Sequence, residues 1–162
     1  MEAILKLEKI LLKEKDIYEE LFRLEEQKKA ALLNRDGKLL DAVTAKEELL
    51  INEIVLEESK RLKAIELCGV EFGREASLSE LAALAGGGMS ERLMFAGKGL
   101  KRAVLKVMSI KELNDKLIKD NMDLFNSILA GLRDTTSISA GYDSTGRENN
   151  KVAASLLFNK TA

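Results

Sequence analysis

The chain has 162 residues, of which 33% are charged and only 4% aromatic, and it contains no Pro, Trp or His. This composition is typical of long amphipathic helices. The formal net charge is −1 and no cluster of Lys and Arg stands apart from the acids, so we expect no nucleic-acid partner. Without His and with one Cys, the chain cannot assemble an ordinary zinc or transition-metal site. We therefore expect no metal and no cofactor.

The sequence also bears on the compartment. Its apolar runs are short, so no segment is predicted to insert into a membrane. The first residues lack the basic region and the apolar core of a signal peptide. Cys68 is the single cysteine, which excludes an internal disulfide and fits a reducing environment. These features predict a cytoplasmic protein.

Residues 4–33 are predicted to form the first helix, because apolar side chains recur in alternating steps of three and four. Glu14 and Lys28 fall on this apolar face, and we expect them at its more hydrated edge. Asn34 tolerates the left-handed conformation that ends a helix, and Asp36 is a good N-cap for the next one. So short a connection predicts that the two helices are antiparallel neighbours.

The second helix is predicted from Leu39 to about Cys68, with Gly69 and Gly73 ending it. Its apolar face is interrupted by charged residues at positions 57–61, and we expect that portion to be less buried.

A short third helix is predicted over residues 78–85. Ser77 and Glu80 have the spacing of a capping box, in which each side chain accepts a hydrogen bond from the main chain of the other. Gly86, Gly87 and Gly88 then change the direction of the chain, and Ser90 is a candidate N-cap for the last long helix.

The last long helix contains the clearest pattern in the sequence. From Leu93 to Leu132, apolar side chains recur every three and a half residues, which indicates a helix that packs along other helices. Asn114 and Asn121 are the polar exceptions, and each is either a buried pin of helix register or a contact to a partner. Gly97 and Gly99 disfavour a helix, so we expect a kink, fraying or a start near Leu100.

These elements predict an all-α fold. The expected architecture is an antiparallel bundle of three long helices, with a short extra helix between helices two and three and a flexible C-terminal tail. Residues 1–134 are assigned to the bundle, and residues 135–162 to a flexible tail that binds a partner.

The tail assignment rests on a change of composition. Residues 134–150 are rich in Asp, Thr, Ser, Gly and Asn, and they cannot bury enough surface to order themselves. The apolar residues that follow are Val152, Leu156, Leu157 and Phe158. Burying the last three would contribute roughly 5–8 kcal/mol, whereas ordering about ten residues costs on the order of 10–15 kcal/mol. This patch therefore either orders on a partner or folds back on the bundle.

Four stretches resemble the FlgN family of flagellar type III export chaperones. They are residues 18–32 (YEELFRLEEQKKAAL), 39–50 (LLDAVTAKEELL), 111–125 (KELNDKLI running on to NMDLF) and the tail segment 141–146 (GYDSTG). The resemblance covers nearly the whole chain. The triple glycine and the Gly97/Gly99 pair are departures from the family's pattern.

The resemblance implies a chaperone for the hook–filament junction proteins FlgK and FlgL, which would prevent their premature assembly and deliver them to the export gate. The FlhA cytoplasmic domain is the expected docking site, and Tyr142 matches the tail tyrosine that would dock there. It also implies client binding through the C-terminal region. The implied client-binding residues are Asn121, Leu124, Phe125, Ile128, Leu132, Val152, Leu156, Leu157 and Phe158.

Two other classes of protein remain open from the residues. A structural coiled-coil adaptor would use the same heptads to form a constitutive oligomer, whereas the chaperone would be a monomer or a weak homodimer. An enzyme is not expected, because the many Glu and Lys residues are typical of a solvated surface, and no His is present to activate Cys68.

Overall fold

A computed structural model describes residues 2–73 and 76–139, with side chains as far as Asp134. These residues form four helices and no strand: α1 (Glu2–Asn34), α2 (Gly37–Phe72), α3 (Leu78–Ala85) and α4 (Gly87–Ser139). The all-helical prediction is confirmed for this part of the chain, and the short helix lies where it was expected. The chain divides into two compact units, Met1–Ile118 and Lys119–Ala162. The functional boundary after residue 134 stays a prediction.

The connection between α1 and α2 uses a different residue from the one predicted. Arg35, and not Asn34, takes the left-handed conformation, with φ of 55°. Asn34 is instead the last residue of α1. The N-cap prediction is confirmed, because Asp36 Oδ1 accepts a hydrogen bond from the Leu39 main-chain N–H at 3.0 Å.

The second helix continues four residues beyond its predicted end at Cys68, so the expectation that Gly69 stops it is wrong. Gly73 ends α2 in a left-handed conformation, and its N–H reaches the carbonyls of Gly69 and Val70. A helical glycine costs only about 1 kcal/mol relative to Ala. Packing of Phe72 against the core offsets that cost.

The capping box at α3 is confirmed. The Ser77 N–H donates to Glu80 Oε2 at 2.7 Å, and the Ser77 hydroxyl accepts from the Glu80 N–H. Gly86 and Gly87 both have positive φ and turn the chain into α4. The prediction of Ser90 as the N-cap is wrong, since α4 begins at Gly87 and the Ser90 N–H already donates to the Gly86 carbonyl at 3.2 Å.

Close packing explains the two glycines near the start of α4. The helix continues through both of them, so the expected kink, fraying or start near Leu100 is not observed. A Cβ atom at residue 97 would overlap the side chain of Leu78 in α3, and one at residue 99 would lie 3.2 Å from Cδ of Lys15 in α1. These glycines therefore allow α1 and α3 to approach α4.

Two clusters of buried apolar side chains form the core of residues 2–118. The first joins all four helices and the second joins α1, α2 and α4. The first comprises Ile4, Leu7, Ile10, Leu11, Ala64, Cys68, Leu81, Ala82, Leu93 and Ala96. The second comprises Ile17, Leu21, Ile54 and Val107.

Ion pairs show how the long helices run in this unit. Lys13 Nζ lies 2.6 Å from Glu57 Oε1, and Lys28 Nζ lies 2.7 Å from Glu47 Oε2. The residue number thus rises along α1 as it falls along α2, so these two helices are antiparallel. Where α4 contacts α1, the residue numbers increase together along the two helices, from Arg92 with Glu8 to Asn114 with Glu25. These two helices therefore run in the same direction.

These pairs also correct two expectations about burial. Glu14 is only 2% exposed, and Arg61 Nε lies 3.0 Å from its Oε2. The Lys28 side chain is 14% exposed, and Glu57 is only 3% exposed. The predicted hydrated edge is therefore a set of cross-helix ion pairs with buried carboxylates, because each carboxylate finds a cation on another helix.

A double-mutant cycle tests the packing of α3 on α4. In a Leu78→Ala background, Gly97→Ala should stabilise the protein by about 1 kcal/mol, because only the helix propensity changes. In the wild-type background the new methyl group must displace Leu78, so this gain should be lost or reversed. Chemical denaturation of the four proteins measures the coupling. Additive free energies would contradict the close contact.

Candidate functional site

The candidate site is an apolar strip on the C-terminal part of α4. Between Leu93 and Asn114 the helix presents its heptad face to the core: Leu93, Ala96, Ala103, Val107 and Asn114 are at most 5% exposed. Beyond residue 118 the same periodicity continues, but its side chains are exposed. We call Leu124, Phe125, Ile128, Leu129 and Leu132 the apolar strip.

The exposure of the strip is considerable. Phe125 is 60% exposed, Leu132 57%, Ile128 52%, Leu124 48% and Leu129 37%. Single exposed apolar side chains are normal on a protein surface, but a contiguous set marks an interaction site. The helical spacing of this set suits a second amphipathic helix.

Polar residues border the strip on the same helix. Asp120, Asp123, Arg133 and Asp134 lie at its two ends, and the Ser127 hydroxyl donates to the Asp123 carbonyl at 2.9 Å. An apolar centre with a polar rim is the usual anatomy of a protein–protein interface.

Asn114 and Asn121 have different surroundings. Asn114 is 1% exposed, and its amide nitrogen donates to both the main-chain carbonyl and Oε2 of Glu25, each at 2.8 Å. Asn121 is exposed and lies one heptad further on, beside the apolar strip. The assignment of Asn114 to helix register, and of Asn121 to register or to a client, stays a prediction.

Asn114 is part of a buried polar group that joins three helices. Lys111 Nζ lies 3.8 Å from Glu25 Oε1, and Glu47 of α2 pairs with Lys28 of α1. Burial raises the pKa of the Glu47 carboxyl, and the adjacent Glu25 raises it further, although Lys28 opposes both effects. This arrangement is a structural network of polar side chains between α1, α2 and α4.

Other residues in the described part of the chain offer little chemistry. Burial raises the pKa of the Cys68 thiol, which disfavours the reactive thiolate. In residues 2–73 and 76–134, no group of three or more Cys, Asp or Glu side chains could hold a metal ion. No helix in the part that the structure describes has an apolar stretch sufficient to cross a membrane.

The tail residues assigned from the sequence lie outside the described residues. They are Tyr142, Val152, Leu156, Leu157 and Phe158. The described part of the predicted client site is therefore Asn121 with four members of the strip.

The client-binding residues implied from the sequence omit two exposed residues in this region, Leu129 and Met122. Met122 is 60% exposed, but it falls outside the heptad pattern that singled out the strip. Methionine adapts to varied apolar surfaces, which suits a binding edge. Its position next to Asn121 was the available signal.

Comparison with known proteins identifies the family. A model of the FlgN protein family matches residues 1–150, which is nearly the whole chain, and the chain belongs to this family. No curated protein and no solved structure matches the chain. Membership implies a role as a flagellar export chaperone that binds hook-associated proteins, in a family of chaperones rather than enzymes.

Removal of the Asn114 side chain tests the polar group. Asn114→Ala should lower the free energy of unfolding by about 2–3 kcal/mol, because it leaves the buried Glu25 carboxylate without its amide donor. Asn121→Ala is the matched control and should change stability by less than about 0.5 kcal/mol, since the side chain is exposed. Urea denaturation measures both, and equal effects would contradict the difference in burial.

The raised pKa of Glu47 predicts a pH dependence. A carboxyl group whose pKa is higher in the folded state favours folding when it is protonated. Its contribution to the free energy of unfolding therefore falls as the pH rises. The stability of Glu47→Gln relative to wild type should therefore improve from mildly acidic to neutral pH. Glu48→Gln, on the exposed face of α2, controls for loss of a charge. A difference that falls with pH would contradict the sign.

Proposed function

We propose that this protein is a cytoplasmic export chaperone that binds the terminal helices of the hook-associated proteins FlgK and FlgL. The observation that carries the proposal is the apolar strip, whose five side chains are 37–60% exposed on one helix. Family membership supports the class of client. A covered client helix could not assemble prematurely, and the chaperone would deliver it to the export gate.

The strip supports binding of an amphipathic helix. Full burial of a Leu, Ile or Phe side chain contributes about 1.5–3 kcal/mol, and the strip residues have roughly half of that left to gain. Client residues spaced three and four apart would pack between the strip side chains, as in other helix-in-groove complexes. The charged residues at the ends of the strip would select the client's orientation.

The tail extends this proposal. Val152, Leu156, Leu157 and Phe158 would contribute a second apolar contact that orders on the client. Ordering a segment consumes part of the contact energy, so the complex stays reversible. A chaperone that must release its client at an export gate needs this property.

Gate docking and architecture complete the proposal. Tyr142 is the candidate contact to the FlhA cytoplasmic domain, by its match to the family's tail tyrosine. The three long helices are proposed to form an up-down-up antiparallel bundle within residues 1–118. The antiparallel pairing of α1 with α2 supports this layout.

Replacement of one strip aromatic tests client binding. Phe125→Asp should weaken binding of FlgK by about tenfold or more, since about 1.4 kcal/mol corresponds to tenfold. Phe95→Asp is a closely matched control, because Phe95 is 67% exposed on the same helix but outside the strip. Isothermal titration calorimetry with FlgK and FlgL measures both variants. Unchanged affinity for Phe125→Asp, or equal losses for both, would contradict the site.

Deletion of residues 136–162 tests the tail separately. Client affinity should fall strongly, whereas the thermal unfolding of residues 2–118 should change little, because the composition of residues 134–150 predicts a segment that does not order itself. Full affinity after the deletion would contradict a role of the tail in client binding, and the apolar strip would then be the whole of the proposed site.

A further inference from the structure

A second set of exposed apolar residues lies on α2, far along the chain from the apolar strip. Leu49 is 70% exposed and Leu56 62%, and Ala42 and Ala45 are exposed on the same face. With Asn52, these residues recur in steps of four and three, which makes a heptad pattern from 42 to 56. We call this set the α2 outer face.

The α2 outer face is distinct from the core face of the same helix. Val43, Glu47, Ile54 and Glu57 are buried against the other helices. A helix advances about 100° per residue, so Leu49 and Leu56 point away from these four side chains. The helix thus has two heptad seams, and the core covers only one of them.

The charges on the α2 outer face are arranged antisymmetrically about Asn52. Lys38 and Asp41 precede Asn52 at the same distances at which Glu66 and Lys63 follow it, and all four are exposed. Read outward from the centre, the signs are minus, plus on one side and plus, minus on the other. When two copies of this helix run in opposite directions, each charge in the series lies opposite a charge of the other sign.

We propose that the α2 outer face binds the same face of a second copy of this chain, with the two α2 helices antiparallel. With Asn52 near the two-fold axis, Leu49 packs against Leu56 of the second copy. The same register places Asp41 opposite Lys63 and Lys38 opposite Glu66. A two-fold interface requires this kind of self-complementary surface.

The charge series also excludes a parallel pairing in register. In that arrangement Lys38 and Lys63, which continue the heptad seam at its two ends, would each face their own copies. Like charges in opposition destabilise helix pairing. Glu53, beside the centre, is already neutralised by Lys13 of α1 at 3.2 Å.

The dimer should be weak and reversible. Its apolar contact consists of four leucines and small alanine side chains, and exposed ion pairs contribute little each. The α2 outer face contains no residue of the apolar strip, so the proposal does not depend on client binding.

Loss of an apolar contact is the first test. Sedimentation velocity across a wide range of protein concentration should show a monomer–dimer equilibrium for the full chain. Leu49→Asp should raise the dissociation constant by about tenfold or more, since it places a charge in the contact. Leu105→Asp is the control, because Leu105 is 53% exposed on α4 and lies outside this face. A monomer at every concentration would overturn the proposal.

A charge-swap experiment tests the antiparallel register. Asp41→Lys and Lys63→Glu should each weaken self-association several-fold, because each creates two like-charge contacts per dimer. An equimolar mixture of the two variants should recover association, since the exchanged charges again face opposite signs at one of the two sites and the native pair remains at the other. Circular dichroism verifies that both variants fold.

The outcomes separate this face from other partners. A dimer that is insensitive to Leu49→Asp, or a mixture that does not recover, would overturn the α2 pairing. If Leu49→Asp left the mass unchanged but weakened FlgK binding, the face would be a client surface and the dimer proposal would be wrong.

Discussion

Cross-helix pairing of buried carboxylates is the constraint on which the arrangement of residues 2–118 depends. Five glutamates are buried in the described part of the chain: Glu8, Glu14, Glu25, Glu47 and Glu57. Each has a cation or an amide from another helix as its partner. A carboxylate that stays buried after losing its partner is costly, most of all for Glu47, whose partner Lys28 is only 14% exposed. A shift of one helix along another would break several pairs together, so these contacts specify the register more strictly than leucines alone.

The positions of these polar contacts explain how one helix, α4, can be part of the core and also form a binding surface. Arg92 donates to both carboxylate oxygens of Glu8 at 2.9 and 2.7 Å, and Asn114 donates to Glu25. These contacts fix the part of α4 whose apolar seam is buried. The seam then continues through the apolar strip, where its side chains are exposed. The proposed function assigns that remaining seam to a client helix.

The sequence predicted the helices and the strip because periodicity and capping are local signals. The Ser77 capping box, the Asp36 N-cap and the helix over residues 78–85 all follow from spacing alone. Helix ends marked by glycine were less predictable. Gly69 and Gly97 lie inside helices, because packing of Phe72 and Leu78 decides the outcome there. No local pattern contains those tertiary contacts.

The buried charges could not be predicted for a related reason. Glu14, Lys28 and Glu57 were expected near water, since a charge on an apolar face is costly without a partner. Their partners are 19 to 47 residues away in the sequence, as in Lys28–Glu47 and Arg61–Glu14. Nothing in one helix alone indicates such a partner. Asn114 was singled out by its heptad position, but its contact with Glu25 was visible only in three dimensions.

Hydrogen–deuterium exchange in the presence and absence of FlgK tests the central claim most directly, because it reports where the client covers the chain. The account predicts new protection of main-chain amides in residues 119–139 and in the tail, with little change in α1. Protection confined to residues 2–118, with the apolar strip exchanging as fast as before, would contradict it.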